Sequence, residues 1–153
     1  MISPIIYRSN EASEAEVIAH LRRCDTDFMP PLSNRIEIDS YAAKIVSNAN
    51  RLEAWADGNL IGLVAIYCND QKDFLAYITN VSVQKEWVGK GVGSSLTQQG
   101  IKFAKKLGAK KICLEVDRNN IQAIALYKKI GFTSEKVSGT DIFMNLELDD
   151  GKI

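Results

Sequence analysis

The 153-residue chain has one histidine, three cysteines, three prolines and no net charge, and each scarcity removes a class of protein. A single imidazole, His20, excludes a histidine-rich metal site and any mechanism needing two imidazoles, so no metal is expected. Cys24, Cys68 and Cys113 are odd in number and lie far apart in apolar or helical stretches. They read as reduced thiols of a cytoplasmic protein, not as a disulfide framework or zinc site. No apolar run approaches the roughly 18 residues of a membrane span, and the first ten residues lack the cationic-then-apolar layout of a signal peptide. No membrane partner is expected. What is present is the composition of a globular domain, 46% hydrophobic and 25% charged. A chain of this length buries about 68–70% of its unfolded surface, enough for one core without covalent staples, so residues 1–153 are expected to form a single domain.

The zero net charge hides an imbalance. Residues 1–84 carry 7 Lys and Arg against 11 Asp and Glu, whereas residues 85–136 carry 11 against 4. The positive half points to an anionic ligand held there. Lys102, Lys105, Lys106, Lys110 and Lys111 equally fit a solvated helix face and turn. A neutral total without an aromatic-basic stripe argues against nucleic acid.

Apolar periodicity predicts the order β α α β β β α β α β β. Residues 3–8 read as a strand and 13–24 as a helix, with Ser13 and Glu16 at capping-box spacing. Pro30-Pro31 breaks the chain before a helix over 38–49, capped at Asp39 or Ser40. Strands over 51–56 and 60–68 flank Asp57-Gly58-Asn59, a hairpin signal, and 74–83 continues the meander. Helix 91–107, closed by Gly108, joins strand 74–83 to a buried strand over 111–116. Helix 120–130 ends at Gly131, and strands 132–137 and 141–148 form a last hairpin. The β-helix-β crossover implies locally parallel strands in a mixed sheet covered by helices. A sheet-edge position for 141–148 would offer a route to a homodimer.

The stretch Val88-Gly89-Lys90-Gly91-Val92-Gly93-Ser94 falls between a strand and a helix start, where the first backbone N–H groups lack intrahelical partners. That is an anion site by geometry, assisted by the helix dipole. A ligand-free connector is the alternative, but three alternating glycines cost backbone entropy unless the main chain itself is used. GxxxxGK[ST] is absent, because Lys90 precedes Gly91. GxGxxG fails because Ser94 stands three beyond Gly91, and the turn follows at least three strands instead of the first. Glu115 and Asp117, about 20 residues on, keep a nicotinamide-dinucleotide module open as an alternative.

These residues resemble the GNAT family of N-acetyltransferases, in which an R/Q-x-x-G-x-G/A turn binds the pyrophosphate of acetyl-coenzyme A. Val88 replaces the first Arg or Gln, so one side-chain contact is missing while the main-chain donors remain. Downstream, Leu114-Glu115-Val116 and Asn120-x-x-Ala123-x-x-Leu126-Tyr127-x-x-x-Gly131-Phe132 look like the family's second signature. The likeness is greatest to bacterial enzymes that acetylate the N-terminal alanine of a ribosomal protein, which also place an Asn like Asn80 before the turn. The strong resemblance covers about residues 74–134.

The resemblance implies an α/β fold with a mixed, mostly antiparallel sheet, central splayed parallel strands and helices on both faces. Residues 1–73 would form the acceptor-side half, 74–137 the acetyl-coenzyme A-binding core and 138–153 the last strand and tail. It implies direct acetyl transfer to a primary amine, a small molecule or a protein N-terminus, in a ternary complex. A non-catalytic acyl-coenzyme A sensor is the alternative. The diphosphate would lie on Val88, Gly89, Lys90, Gly91, Val92, Gly93 and Ser94, and the pantetheine on the main chain of Val81, Ser82 and Val83. Asn120 and Ala123 would meet the pantetheine or a water.

An alkylammonium of pKa about 10.4 needs a base at neutral pH. Glu115 is the candidate, in an apolar strand where burial would raise its pKa; an exposed carboxylate facing Lys110 or Lys111 is the other reading. Tyr127 is the candidate acid for the departing thiolate, and main-chain N–H near Val83 the oxyanion donor. Asn80 would order the acceptor or a water, or be a satisfied polar residue on a half-exposed face. Phe28 and Met29, in the loop between the first two helices, would shape acceptor selectivity. Cys113 reads as buried packing, and His20 as surface or partly packed.

Overall fold

A computed structural model of the chain describes residues 3–68 and 72–148. The strands are β1 (Ile6–Ser9), β2 (Asn50–Ala56), β3 (Asn59–Tyr67), β4 (Leu75–Val83), β5 (Lys111–Asp117), β6 (Thr133–Ser138) and β7 (Asp141–Glu147). The helices are α1 (Glu14–Cys24), α2 (Ile38–Asn48), α3 (Val92–Lys106) and α4 (Ile121–Ile130). Single 3₁₀ turns at Asp25–Asp27, Leu32–Asn34 and Lys85–Trp87 fill stretches that carry no periodic signal. The seven strands form one sheet in the order β1-β2-β3-β4-β5-β7-β6, antiparallel throughout except for the β4–β5 pair.

Strand alternation divides the core into two. Leu52, Val64, Ile78, Ile112 and Leu114 face α3 and α4 together with Leu96 and Phe132. Trp55, Leu63 and Ala65 face α1 and α2 with Val17, Leu21 and Ile45. Gly62 lets α3 approach the sheet: a Cβ there would lie 2.8 Å from Val92 Cγ1 and 3.1 Å from Leu96 Cδ1. The first residue of α3, and with it the glycine turn, is therefore seated against β3.

Helix α1 starts in a complete capping box, with Glu16 N–H donated to Ser13 Oγ at 3.1 Å and Ser13 N–H to Glu16 Oε1 at 2.9 Å. Helix α2 is capped by Glu37, not Asp39 or Ser40. Its carboxylate accepts from the N–H of Ser40 (3.0 Å) and Asp39 (3.1 Å) and from the Ser40 hydroxyl (2.7 Å). Those bonds, the Ser40 hydroxyl foremost, lower its pKa. Strand β7 is not at an edge. It pairs with β5 on one side and β6 on the other, so it offers no route to strand pairing between chains. Short, fully exposed β6 occupies that edge. The tail assigned to residues 149–153 lies outside the described residues.

One buried ion pair locks the start of α1 to the sheet. Glu53 is fully buried and accepts from Glu11 N–H (3.1 Å), Ala12 N–H (3.0 Å), Trp55 Nε1–H (3.1 Å) and Arg51 Nε–H (3.2 Å). Arg51 also donates to the carbonyls of Val46 (3.2 Å) and Ala12 (2.9 Å). Removing one partner strands the other charge, which costs about 3–5 kcal/mol. Urea unfolding of Glu53→Ala is therefore expected to show a loss of that size; a loss below about 1 kcal/mol, within the range of exposed pairs, contradicts this account.

Candidate functional site

The site grows from the one parallel pair. β4 and β5 are bonded only at Leu75/Lys111, Ala76/Ile112 and Tyr77/Cys113, after which residues 78–83 and 114–117 part. β4 pairs with β3 from Tyr77 to Val83, with Thr79 as an extra bulged residue between Ile78 and Asn80. Gln84 N–H is donated to Ile61 O at 2.8 Å. Strand alternation then turns the N–H groups of Val83 and Val81 the other way, toward the gap where no strand meets them.

The glycine turn stands at the mouth of this gap. Gly89 and Gly91 are left-handed (φ +86° and +78°), and a Cβ on either would meet nothing within 4 Å. Gly91 is the N-cap of α3 and has no side chain to cap with. Among the described residues no backbone N–H of residues 89–94 donates to an acceptor in the protein, whereas Ser95 N–H already returns to Gly91 O. The turn is thus an open arc of six main-chain donors at the positive end of a 15-residue helix. A Cβ at Gly93 would touch Val83 and Leu126 at 3.7 Å, so the turn, β4 and α4 converge there. Val88 is exposed.

The lysines are elsewhere. Lys102, Lys105, Lys106 and Lys110 line a shallow groove with Gly108 and Leu148 at the far end of α3, about 20 Å from its start. Lys105 and Lys106 suit the negative end of the helix dipole there, and only Lys90 of the positive half sits in the turn itself.

Candidate acid and base flank the gap from opposite faces of the sheet. Tyr127 lies on the α3/α4 side, buried, edge-on to Phe132 with ring centroids 5.8 Å apart. Burial raises its pKa strongly, and its hydroxyl has no hydrogen-bond partner among the described residues. Its carbonyl accepts the N–H groups of Gly131 (3.1 Å) and Phe132 (2.9 Å), so the Tyr-x-x-x-Gly-Phe spacing is in part a helix ending. Asn120 likewise caps α4, accepting Ala123 N–H at 3.2 Å, which explains the Asn-x-x-Ala spacing and commits the amide oxygen to the helix. Glu115 is on the other side and exposed, so the burial expected for it is absent. It faces neither Lys110 nor Lys111: Tyr77 Oη–H donates to Glu115 Oε2 at 3.1 Å. The tyrosine's pKa is raised by burial first and by the carboxylate second.

Two residues lie deeper than their sequence positions suggest. His20 is 2% exposed, not at the surface, and Asn80 is 4% exposed. They are joined through Ser82, whose side chain points to α1 and leaves only its main chain to the gap. On the same side Tyr41 Oη–H donates to the bulge carbonyl of Thr79 at 2.7 Å, and burial pushes its pKa up to about 12. Phe28 packs onto the core beneath α1 and α2, and Met29 is exposed. Cys113 is half-buried, and burial foremost raises its thiol pKa, the opposite of an activated nucleophile. Among the described residues no group of three or more His, Cys, Asp or Glu gathers to hold a metal, and no helix is long and apolar enough to cross a membrane.

A mixed sheet parted at its single parallel pair, with an uncapped helix end at the mouth of the gap, is an acetyltransferase architecture. The chain belongs to the GNAT family: the model described as "Acetyltransferase (GNAT) family" matches residues 16–132. Over 95 residues it is 32% identical to the putative [ribosomal protein bS18]-alanine N-acetyltransferase of Bacillus subtilis, covering 61% of each chain. Over 73 residues it is 34% identical to N-alpha-acetyltransferase 30 of Schizosaccharomyces pombe, covering 44% of this chain and 49% of that one. The chain spans about half the length of the curated relatives it matches. In fold it is similar to a GNAT-family acetyltransferase of Streptococcus pneumoniae, with a TM-score of 0.75, 24% identity and coverage of 94% and 99%.

Burial dominates the lowering of the His20 pKa from 6.5 to about 4. Above pH 6.5 the ring is neutral in both folded and unfolded chains and contributes no pH dependence. Between 6.5 and 4 only the unfolded chain takes the proton, so stability falls as pH drops. The expected loss from this group between pH 7 and pH 5 is about 2 kcal/mol, absent in His20→Gln. Urea unfolding of both proteins at the two pH values checks it, and equal losses contradict it.

Proposed function

We propose that this chain is an acetyl-coenzyme A-dependent N-acetyltransferase that passes the acetyl group directly to a primary amine bound at the same time. The reading is carried by the arc of six unpaired N–H groups at residues 89–94 beside the gap between β4 and β5. An open, left-handed glycine turn with that many donors suits an anion such as a diphosphate. A solved Thermoplasma acidophilum relative in fold is described with coenzyme A, and one from Salmonella typhimurium with its cofactor acetyl-CoA.

In this reading Val88, Gly89, Lys90, Gly91, Val92, Gly93 and Ser94 hold the diphosphate. The main chain of Val81, Ser82 and Val83 pairs with the pantetheine, and Asn120 and Ala123 border it at the start of α4. Acetyl-coenzyme A supplies an activated thioester carbonyl when bound. Glu115, held by Tyr77, takes the proton of the incoming ammonium directly or through water. The inward N–H groups near Val83 stabilise the developing oxyanion. Tyr127 is kept in its protonated form by burial and gives its proton to the departing sulfur. A phenol of pKa about 10 is a weaker acid than a thiol of about 8.5, so full proton transfer is uphill by roughly 2 kcal/mol, and burial of Tyr127 adds to that. The thiolate forms in the same buried surroundings, which raise its basicity too and offset the difference. Phe28, Met29 and Asn80 lie on the acceptor side. The three free cysteines fit a cytoplasmic setting.

The acceptor reading leans on similar proteins, one named as a putative ribosomal-protein-alanine N-acetyltransferase and two as N-alpha-acetyltransferases. A peptide with an N-terminal alanine is therefore the first acceptor to test, with amino sugars, amino acids and polyamines beside it.

Acetyl-coenzyme A at 100 times its dissociation constant is expected to stabilise the chain by about 2.7 kcal/mol and raise its melting temperature by several degrees. ATP and NAD are expected to leave it unchanged. Protection by NAD alone would instead favour the dinucleotide module. Tyr127→Phe is expected to lower turnover at least tenfold with coenzyme A affinity unchanged; equal turnover removes the tyrosine from the mechanism.

A further inference from the structure

Asn80 and Ser82 of β4 and Gln84 just after it occupy alternate positions on the face turned toward α1, and all are buried, at 4%, 6% and 9% exposure. Apolar residues are the ordinary choice for such a stripe, since each buried polar group must find a partner. Partners here come from a directed chain of hydrogen bonds. His20 Nδ1 is 3.1 Å from Leu60 O, which can only accept, so Nδ1 carries the proton. The ring is neutral at pH 7, so Nε2 is an acceptor and takes the Ser82 hydroxyl at 2.9 Å. Ser82 Oγ in turn accepts Asn80 Nδ2–H at 2.8 Å, and that amide also reaches Leu63 O at 3.4 Å. Gln84 Nε2–H closes the far end on Leu60 O at 3.0 Å. Cys24 Sγ, 3.8 Å from His20 Nε2, adds a weak second contact.

The polarity of this chain has a cost. Asn80 Oδ1 is fully buried and has no partner among the described residues. Turning the amide over would satisfy nothing, because Ser82 has already given its only proton to His20. A buried carbonyl left unpaired is destabilising. A sequence that keeps it, in place of an apolar stripe, gains a unique strand geometry. The segment so held is the part of β4 that has lost β5, and its alternate N–H groups, at Val81 and Val83, face the gap.

We infer that His20 and Ser82 are positioning residues of the transfer reaction: the Leu60–His20–Ser82–Asn80 relay holds the free edge of β4 so that its N–H groups meet the acyl donor. The inference rests on the acetyltransferase reading above. Neither side chain touches the donor; each acts through the main chain of residues 81–83. An ordinary packing role would affect stability alone.

The test uses the full-length protein and acetyl-coenzyme A labelled with ¹³C at the acetyl carbonyl. In the wild type, long-range ¹H–¹⁵N spectra are expected to show His20 as the Nδ1–H tautomer, and the bound carbonyl resonance is expected to move downfield as it accepts from β4. Ser82→Ala and His20→Leu are expected to go on binding coenzyme A through the untouched glycine turn, severalfold more weakly because the main chain of residues 81–83 also meets the pantetheine. They are expected to lose most of the carbonyl shift and to exchange the amides of residues 81 and 83 at least tenfold faster. His20→Gln, which offers one donor and one acceptor at similar spacing, is expected to restore both. Ser82→Ala alters only one oxygen, so it keeps the test sharp if His20→Leu folds poorly. A carbonyl shift unchanged in Ser82→Ala, or an Nε2–H tautomer in the wild type, overturns the positioning role alone. Failure of the wild type to bind acetyl-coenzyme A, with the Nδ1–H tautomer intact, overturns the acetyltransferase reading and the positioning role with it.

Discussion

At residues 89–94 six successive main-chain N–H groups find no acceptor among the described residues, so they are left to water or to a ligand. The surroundings maintain that deficit. Gly62 admits α3 to the sheet, and Gly91 ends the helix without a capping side chain. Gly89 and Gly91 hold the turn in the left-handed region. The same deficit recurs where β4 leaves β5, since the N–H groups facing the gap there have no strand partner. Two unsatisfied stretches of backbone meet at one opening, and a ligand with an anionic end and an amide-bearing arm would satisfy both.

Around this opening the fold separates tasks by sheet face. Tyr127, Asn120 and the turn belong to the α3/α4 side, and Glu115, Tyr77, Tyr41 and Asn80 to the α1/α2 side. An acyl group lying in the gap would be open to proton transfer from both faces. The two sides are also held differently. The α3/α4 side relies on apolar packing, whereas the α1/α2 side carries buried polar networks, one around Glu53 and one around His20. Such networks contribute less to stability than apolar packing would, but they tolerate one geometry only.

Elements with a local cause were legible in the sequence. Ser13 and Glu16 announced their capping box, Asp57-Gly58 its hairpin, and Gly108 and Gly131 their helix ends, because each depends on residues within a few positions. The glycine turn was legible for the same reason. The cap of α2 is a local feature that the residue types misplace, since Glu37 fills the role for which Asp39 and Ser40 are the commoner choices. Features that depend on distant partners were not legible. His20 stood in a helix with charged neighbours, and its burial is decided by Leu60 and Ser82, 40 and 62 residues away. The apolar residues around Glu115 suggest a buried carboxylate, but strand alternation puts its neighbours, not the carboxylate, in the core. The last hairpin hid its order, since β7 and not β6 joins β5. Three alternate polar residues at 80, 82 and 84 were the one available signal for the relay, a period-two pattern of the wrong polarity for a core strand.

In the proposed function the backbone donors of residues 89–94 are an anion site for the diphosphate of a coenzyme A thioester. Amide ¹H–¹⁵N spectra during titration with coenzyme A test it most directly. The account predicts that the amides of residues 89–94 move first and farthest, downfield as they gain an acceptor, and that adenosine without the diphosphate leaves them in place. Shifts confined to the lysine groove around Lys102 and Lys106, with the glycine turn unmoved, would contradict it.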